Sequence, residues 1–191
     1  MSTRLAPLEP PYADATAATL SSMMPPGVPP LLLFRTIAHN PRVLEKIRAS
    51  NLLDRGSIER RHREVVILRT TARCGCEYEW GVHVSFFAAK VGLGAAEIAA
   101  TVHGGADDPV WSDTERTLIR LVDELHDTSR VSDALWVDLR KHWSDEQLVE
   151  LVVLAGFYHT ISFVVNGLGV ALESGAARFP AARRVTGAGP G

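Results

Sequence analysis

The sequence predicts an all-helical bundle, and three observations lead there. No stretch alternates apolar and polar residues over strand length, so no strand pattern competes with the helices. Ser112-Asp113-Thr114-Glu115 and Ser144-Asp145-Glu146-Gln147 are capping boxes, each opening an apolar-periodic run. Pro and Gly punctuate the chain at intervals that suit short helices.

In order, residues 1–12 are Pro-rich and read as an extended arm. Ala13 to Met24 forms a first short helix, stopped by Pro25-Pro26-Gly27. Pro29-Pro30 opens a second over Leu31 to His39, since Pro is tolerated in a first turn. Asn40-Pro41 breaks the chain, and a third helix runs from Pro41 to about Leu53. The fourth spans Ile58 to Arg73, with Ile58, Val65, Leu68 and Ala72 on one buried stripe and Glu64 beside it. Gly75 interrupts this pattern. A fifth helix runs from Cys76 to Val91 and stops at Gly92-Leu93-Gly94. Ala95 to Val102 is a short sixth, ended by Gly104-Gly105.

Ser112 caps the seventh helix, which reaches Thr128 with Leu118, Leu121, Val122 and Leu125 inward. Ser132 caps an eighth ending near Trp143. Ser144 caps a long apolar ninth, to about Glu173. The tail after Phe179 is rich in Ala, Arg and Gly and reads as disordered. The implied division is an arm with a short helix (1–29), a helical domain (30–175) and a flexible tail (176–191).

Composition narrows the function. The 191 residues are 46% hydrophobic, enough for a core. Twenty basic residues against twenty-two acidic ones give a formal charge of −2, which favours neither nucleic acid nor an anionic membrane. Two cysteines one residue apart are no secreted disulfide framework, and the start lacks signal-peptide character, so a cytoplasmic location is expected. The run Leu151 to Leu172 is long enough to span a bilayer. It carries His159 and Asn166, is entered by Glu150 and lacks a basic flank, so a core or subunit-contact helix is expected instead. An apolar helix this uniform points to a homo-oligomer.

The chemistry gathers at Cys76, Glu79 and His83. In a helix these offsets share one face. A thiol near a helix start favours the thiolate, and a nearby imidazole can take its proton. Cys76 is therefore expected to be more acidic than a free thiol, with His83 a cause and the Glu79 carboxylate opposing it. A buried cysteine and a hydrogen-bonded core histidine are the plainer alternative. A metal at Cys76, Glu79 and His83 is a weaker option, because the donors are poorly spaced for zinc; no metal or cofactor is expected. His159 and Asn166, seven apart, share a face of the ninth helix and could line a pocket, meet a subunit contact, or satisfy each other in the core.

Glu64-Val65-Val66-Ile67-Leu68, then Gly75-Cys76-Glu77-Tyr78, then His83, resembles the carboxymuconolactone decarboxylase family, which includes the alkyl hydroperoxidase D-like proteins. That motif has a Glu, Cys-x-x-Cys twelve residues on, and a His four residues past the second Cys. Glu64, Cys76 and His83 stand in register, while Glu79 takes the place of the second Cys. Val91-Gly92-Leu93 through Glu97-Ile98, Trp111-Ser112, Asp123-Glu124-Leu125-His126 and Tyr158 to Asn166 extend the likeness over roughly residues 30 to 173.

The resemblance implies an all-helical homo-oligomer with a site near a subunit contact and a small-molecule substrate. It implies either a thiol-dependent peroxidase or a cofactor-free lyase or decarboxylase acting on a small lactone or carboxylic acid. In the first, Cys76 attacks peroxide, His83 and Glu64 relay protons, and Cys74 or an external thiol resolves the sulfenic acid. In the second, His83 and Glu79 supply the proton chemistry. Cys74, Tyr158, His159 and Asn166 are secondary candidates. Between the two, the register of Cys76, His83 and Glu64 favours the peroxidase-like oxidoreductase. A non-catalytic ligand-binding oligomer is the third alternative.

Overall fold

The computed structural model describes residues 3–50 and 52–181. Among these residues the chain forms nine α-helices, one 3-10 turn and no strand. The helices are α1 (Asp14–Ser22), α2 (Leu32–Ile37), α3 (Pro41–Ala49), α4 (Arg60–Arg73), α5 (Glu77–Phe86), α6 (Ala95–His103), α7 (Asp113–Thr128), α8 (Asp133–Leu139) and α9 (Asp145–Leu168), with the 3-10 turn at Ala88–Val91. Both capping boxes form. Ser112 Oγ accepts from the Glu115 N–H, and Ser144 Oγ from the Gln147 N–H.

Several ends differ from expectation. α3 stops at Ala49, short of Leu53, and α4 starts at Arg60. α8 ends at Leu139, after which the chain turns so that Trp143 is buried and its indole N–H donates to Thr117 Oγ1. α9 ends at Leu168, short of Glu173, because Gly169 adopts φ 63° and caps it.

α4 is the axis of the bundle and packs against α5, α6, α7 and α9. The expected single stripe understates its burial, since every residue from Arg63 to Thr71 is buried. Four neighbouring helices leave it no solvent face, so its charged residues need partners inside. Arg69 makes two 2.8 Å hydrogen bonds to Asp123 and donates to the carbonyls of Thr101 and Gly104.

The α4–α5 junction decides the placement of Cys76. Gly75 adopts φ 60°, its N–H donates to Ala72 O (2.9 Å), and the Cys76 N–H donates to Thr71 O (2.8 Å). This is a Schellman closure, which needs a left-handed residue where Gly75 stands and turns the next residue inward against the helix. Cys76 is at once that next residue and the residue preceding α5.

The apolar interior has two parts. The larger lies around α4, α7 and α9. The smaller joins α1, α2 and α3 to α5 and the second half of α9, and includes Cys76. The described part of the arm is extended and pinned, with the Arg4 and Leu5 N–H groups on Leu168 O and the Leu8 N–H on Arg35 O.

After α9 the chain crosses α5 as a strap. Glu173 accepts from the Tyr78 hydroxyl and the Leu32 N–H, Ala177 N–H donates to Ser85 Oγ, and Phe179 N–H to Glu77. The strap lies so close that a Cβ on Gly81 would sit 2.2 Å from Ala177 O. Residues 176–181 are thus laid against the bundle rather than forming a free tail; the rest of the expected tail lies outside the described residues.

α9 is long and apolar enough to cross a membrane by length and composition, and 44% of its most apolar window is buried within the chain. Val149, Val153 and Phe163 on it are 67%, 53% and 69% exposed.

Candidate active site

Glu64, Glu79 and His83 form one buried chain of hydrogen-bonding groups. α4 carries Glu64 toward α5. α5 carries Glu79 and His83 one turn apart, so both side chains lie on the same face. Glu64 Oε2 is 2.7 Å from His83 Nδ1, while its Oε1 accepts from Arg63 Nε at 3.3 Å. The expectation placed Glu64 merely beside the buried stripe, yet it is wholly inaccessible. The far ring nitrogen of His83, Nε2, stands 3.5 Å from Glu79 Oε1. Tyr158 from α9 meets the imidazole edge-on and Phe87 packs on it at a tilt, both at 5.1 Å between centroids.

Burial pulls the His83 imidazole toward neutrality. The hydrogen bonds to Glu64 and Glu79, with the charges of both carboxylates, more than offset this and raise its pKa to about 9. His83 is therefore an imidazolium at neutral pH, donating from Nδ1 to Glu64. Burial, with the Glu79 and Glu64 charges, also holds the Tyr158 hydroxyl far above its ordinary range, so it remains a neutral phenol.

Glu79 is where this chain meets open space. Its Oε2 is buried and has no hydrogen-bond partner among the described residues. Glu79 and Tyr158 line a cavity of about 220 Å³ whose other walls include Leu33, Phe34 and Ile161 with the polar Ser22 and Arg48. An unpaired buried carboxylate oxygen is costly, and a ligand polar group in the cavity would satisfy it.

Cys76 does not belong to this cavity. It is inaccessible, packed in the smaller apolar cluster with Leu33, Tyr78, Val82 and Ile161. Burial pushes its thiol up to about 12; the Glu79 N–H and Ser162 oppose this weakly, and the Glu79 carboxylate adds to it. The expected acidic thiol is thus corrected in sign. Solvent loss outweighs the helix start, and His83 commits its protons to carboxylates rather than to sulfur. Alkylation of Cys76 should be slower than that of a free thiol in the native protein and also in Glu79→Gln, which removes an opposing charge but leaves the burial in place. Modification at or above the free-thiol rate would refute this burial.

The secondary candidates divide. Tyr158 joins the Glu79 cavity. Asn166 is structural, its Nδ2 donating to Cys74 O at 2.9 Å across the α4–α5 junction. His159 does not pair with Asn166; its Nε2 lies 3.2 Å from His126 Nδ1, which is also 4.0 Å from Cys74 Sγ. His126 was part of a resembling segment but had no assigned role. No local signal links these residues, which stand 52 and 33 positions apart on separate elements. Cys74 and Cys76 are both free thiols.

An all-helical bundle that buries a Glu–His pair between two central helices, with a third polar group at the former second-cysteine position, defines the class. Residues 41–124 match the carboxymuconolactone decarboxylase family. No curated protein matches it.

Solved structures share the fold at low identity. An uncharacterized peroxidase-related protein from Silicibacter sp. TM1040 superposes with a TM-score of 0.79 at 16% identity, covering 93% of this chain and 96% of the other. A protein of unknown function from Agrobacterium tumefaciens, suggested to be the antioxidant defence protein AhpD, gives 0.67 at 23% identity, covering 72% and 95%. The debrominase Bmp8, as a Cys-to-Ala variant in complex with 2,3,4-tribromopyrrole, gives 0.70 at 13% identity, covering 91% and 94%.

Proposed function

We propose that this protein is a cofactor-free acid–base catalyst of the lyase or decarboxylase kind, acting on a small, largely apolar lactone or carboxylic acid. The observation that carries the reading is Glu79, which lines the cavity and has a buried Oε2 with no partner among the described residues, with His83 and Glu64 behind it.

The residues suit proton transfer. In the decarboxylation direction, a carbon–carbon bond breaks, carbon dioxide leaves, and the electron pair stays on carbon. That carbon takes a proton that passes from His83 Nε2 through Glu79, leaving His83 a neutral imidazole until solvent returns the proton. Glu64 holds the imidazolium in place through Nδ1. In an isomerisation or elimination the same path runs backward, with Glu79 accepting the carbon-bound proton. The Tyr158 phenol is placed to donate toward a developing oxyanion at the cavity wall. The cavity size and its mixed walls, apolar at Leu33, Phe34 and Ile161 and polar at Ser22 and Arg48, suit one small ring that carries a polar group; the debrominase Bmp8 binds such a ring, 2,3,4-tribromopyrrole.

The peroxidase-like reading ranks below this one. It needs a thiolate at Cys76, and that thiol is inaccessible, is not among the residues that line the cavity, and is held neutral by burial. Cys74 is half-buried, and burial pushes its thiol up as well.

The deciding experiment measures turnover of a carboxymuconolactone-type substrate against turnover of peroxide with a dithiol, in wild type, Glu79→Gln and Cys76→Ser. Lactone turnover that survives Cys76→Ser and collapses in Glu79→Gln supports the proposal. Peroxide turnover that collapses in Cys76→Ser would replace it with the thiol mechanism.

The assembly proposed is a homo-oligomer built on α9. Val149, Val153 and Phe163 expose an apolar strip on a helix whose other face is core. Sedimentation at micromolar concentration should show a dimer or larger species, and Val153→Glu together with Phe163→Glu should shift it toward monomer. A wild-type monomer under these conditions would contradict the assembly.

A further inference from the structure

Away from the Glu79 cavity, α4, α7 and α9 bring three metal-binding side chains to one point. Cys74 follows the last turn of α4, His126 lies near the end of α7, and His159 lies in the middle of α9. One ligand atom from each, Cys74 Sγ and a ring nitrogen of each histidine, lies within 4.8 Å of both others. We propose that Cys74, His126 and His159 form a binding site for a thiophilic divalent cation, zinc foremost, with a fourth position open to water or a substrate oxygen.

The geometry favours a metal over a simple hydrogen bond. The rings of His126 and His159 bring Nδ1 and Nε2 to 3.2 Å from one another. A hydrogen bond satisfies that pair but gives the sulfur, 4.0 Å from the same Nδ1, no defined role. In tetrahedral zinc sites the metal lies about 2.0–2.1 Å from nitrogen and about 2.3 Å from sulfur. Those lengths separate ligand atoms by about 3.3–3.7 Å, so the three side chains need only small rotations to close on an ion.

The ligand set also suits zinc. One thiolate with two imidazoles is a borderline-soft combination, unlike the oxygen-rich sets of magnesium or calcium. All three residues are part-exposed, so an ion can reach them.

The surroundings favour a cation. Arg73, the nearest fixed positive charge in sequence, is held by Asp127 at 2.5 Å and Asp123 at 3.5 Å. The backbone at Cys74 is anchored by the Asn166 side chain, which keeps the sulfur on the α9 side. Cys76, Glu79 and His83, the weaker metal option in the sequence, are not among the side chains gathered in this way among the described residues. The ligating thiol is the other cysteine of the pair.

The test uses the full chain, stripped with chelator under a reductant and titrated with cobalt(II) and then zinc. The expected result is one cobalt per chain, with a thiolate-to-cobalt charge-transfer band and tetrahedral d–d absorption, bleached by zinc. Zinc should also raise the unfolding temperature. Cys74→Ser should remove the charge-transfer band. His126→Ala and His159→Ala should each weaken cobalt binding by at least about ten-fold, the scale of disrupted metal-site support. Cys76→Ser should leave the spectrum intact. Helical circular dichroism checks that each variant is folded, and the two histidine variants on different helices guard against misfolding of any one. The proposal is overturned if no charge-transfer band appears, if it survives Cys74→Ser, or if it is lost in Cys76→Ser.

Discussion

Glu79→Gln is expected to lower turnover of a lactone or carboxylic-acid substrate by about 10²–10⁴-fold, the usual worth of a positioned general acid–base group. The substitution keeps the shape of the side chain and removes only its ability to carry the proton. The amide no longer pairs as a charge with the His83 imidazolium, so a modest loss of stability is also expected. The rate is therefore compared on protein shown to be folded, which separates a chemical role from a structural one. A less than ten-fold loss, measured on folded protein, would remove Glu79 from the reaction.

His83→Ala is expected to have the largest effect on stability, a loss of about 3–5 kcal/mol, as for other broken buried ion pairs. The imidazolium is the partner of Glu64 at 2.7 Å, and both side chains are almost wholly inaccessible. Removing it leaves a buried carboxylate with only the longer Arg63 contact at 3.3 Å, beside a new cavity between Tyr158 and Phe87.

The same pair makes stability depend on pH. In the folded chain His83 is raised to about 9 from an ordinary 6.5, so the folded state holds that proton more tightly than the unfolded state does. Its stabilisation is full below about pH 6.5 and fades as pH rises through about 9, by on the order of 3 kcal/mol. Urea unfolding across this window should show falling stability in the wild type and a flatter profile in His83→Ala. A wild-type profile that stays level over the window would argue against the imidazolium.

Local chemistry was legible in the sequence. The capping boxes at Ser112 and Ser144 and the turn at Gly75 are set by φ preferences and hydrogen bonds within about four residues, and all of them form; the fifth helix, expected to reach Val91, ends at Phe86, and only a 3-10 turn runs on to Gly92. The spacing of Glu64, Glu79 and His83 also carried through, because two adjacent helices preserve it. The end of α9 was misjudged because apolar residues continue past Gly169, and hydropathy does not report a left-handed cap.

Burial was decided only by the tertiary structure. Cys76 has the spacing of a reactive thiol, but the Schellman turn aims it into a cluster made with α1, α2 and α9, and losing solvent outweighs a helix dipole. Glu64 looked peripheral until four helices enclosed α4. Cys74, His126 and His159 meet although no local pattern links them, because the crossing of α4, α7 and α9 sets which side chains become neighbours. Helix starts and stops depend on nearest neighbours along the chain, whereas the charge state of a buried group depends on everything packed around it. The sequence by itself therefore determined an all-helical chain with its motif in register, and the packing decided which of the motif's residues can react.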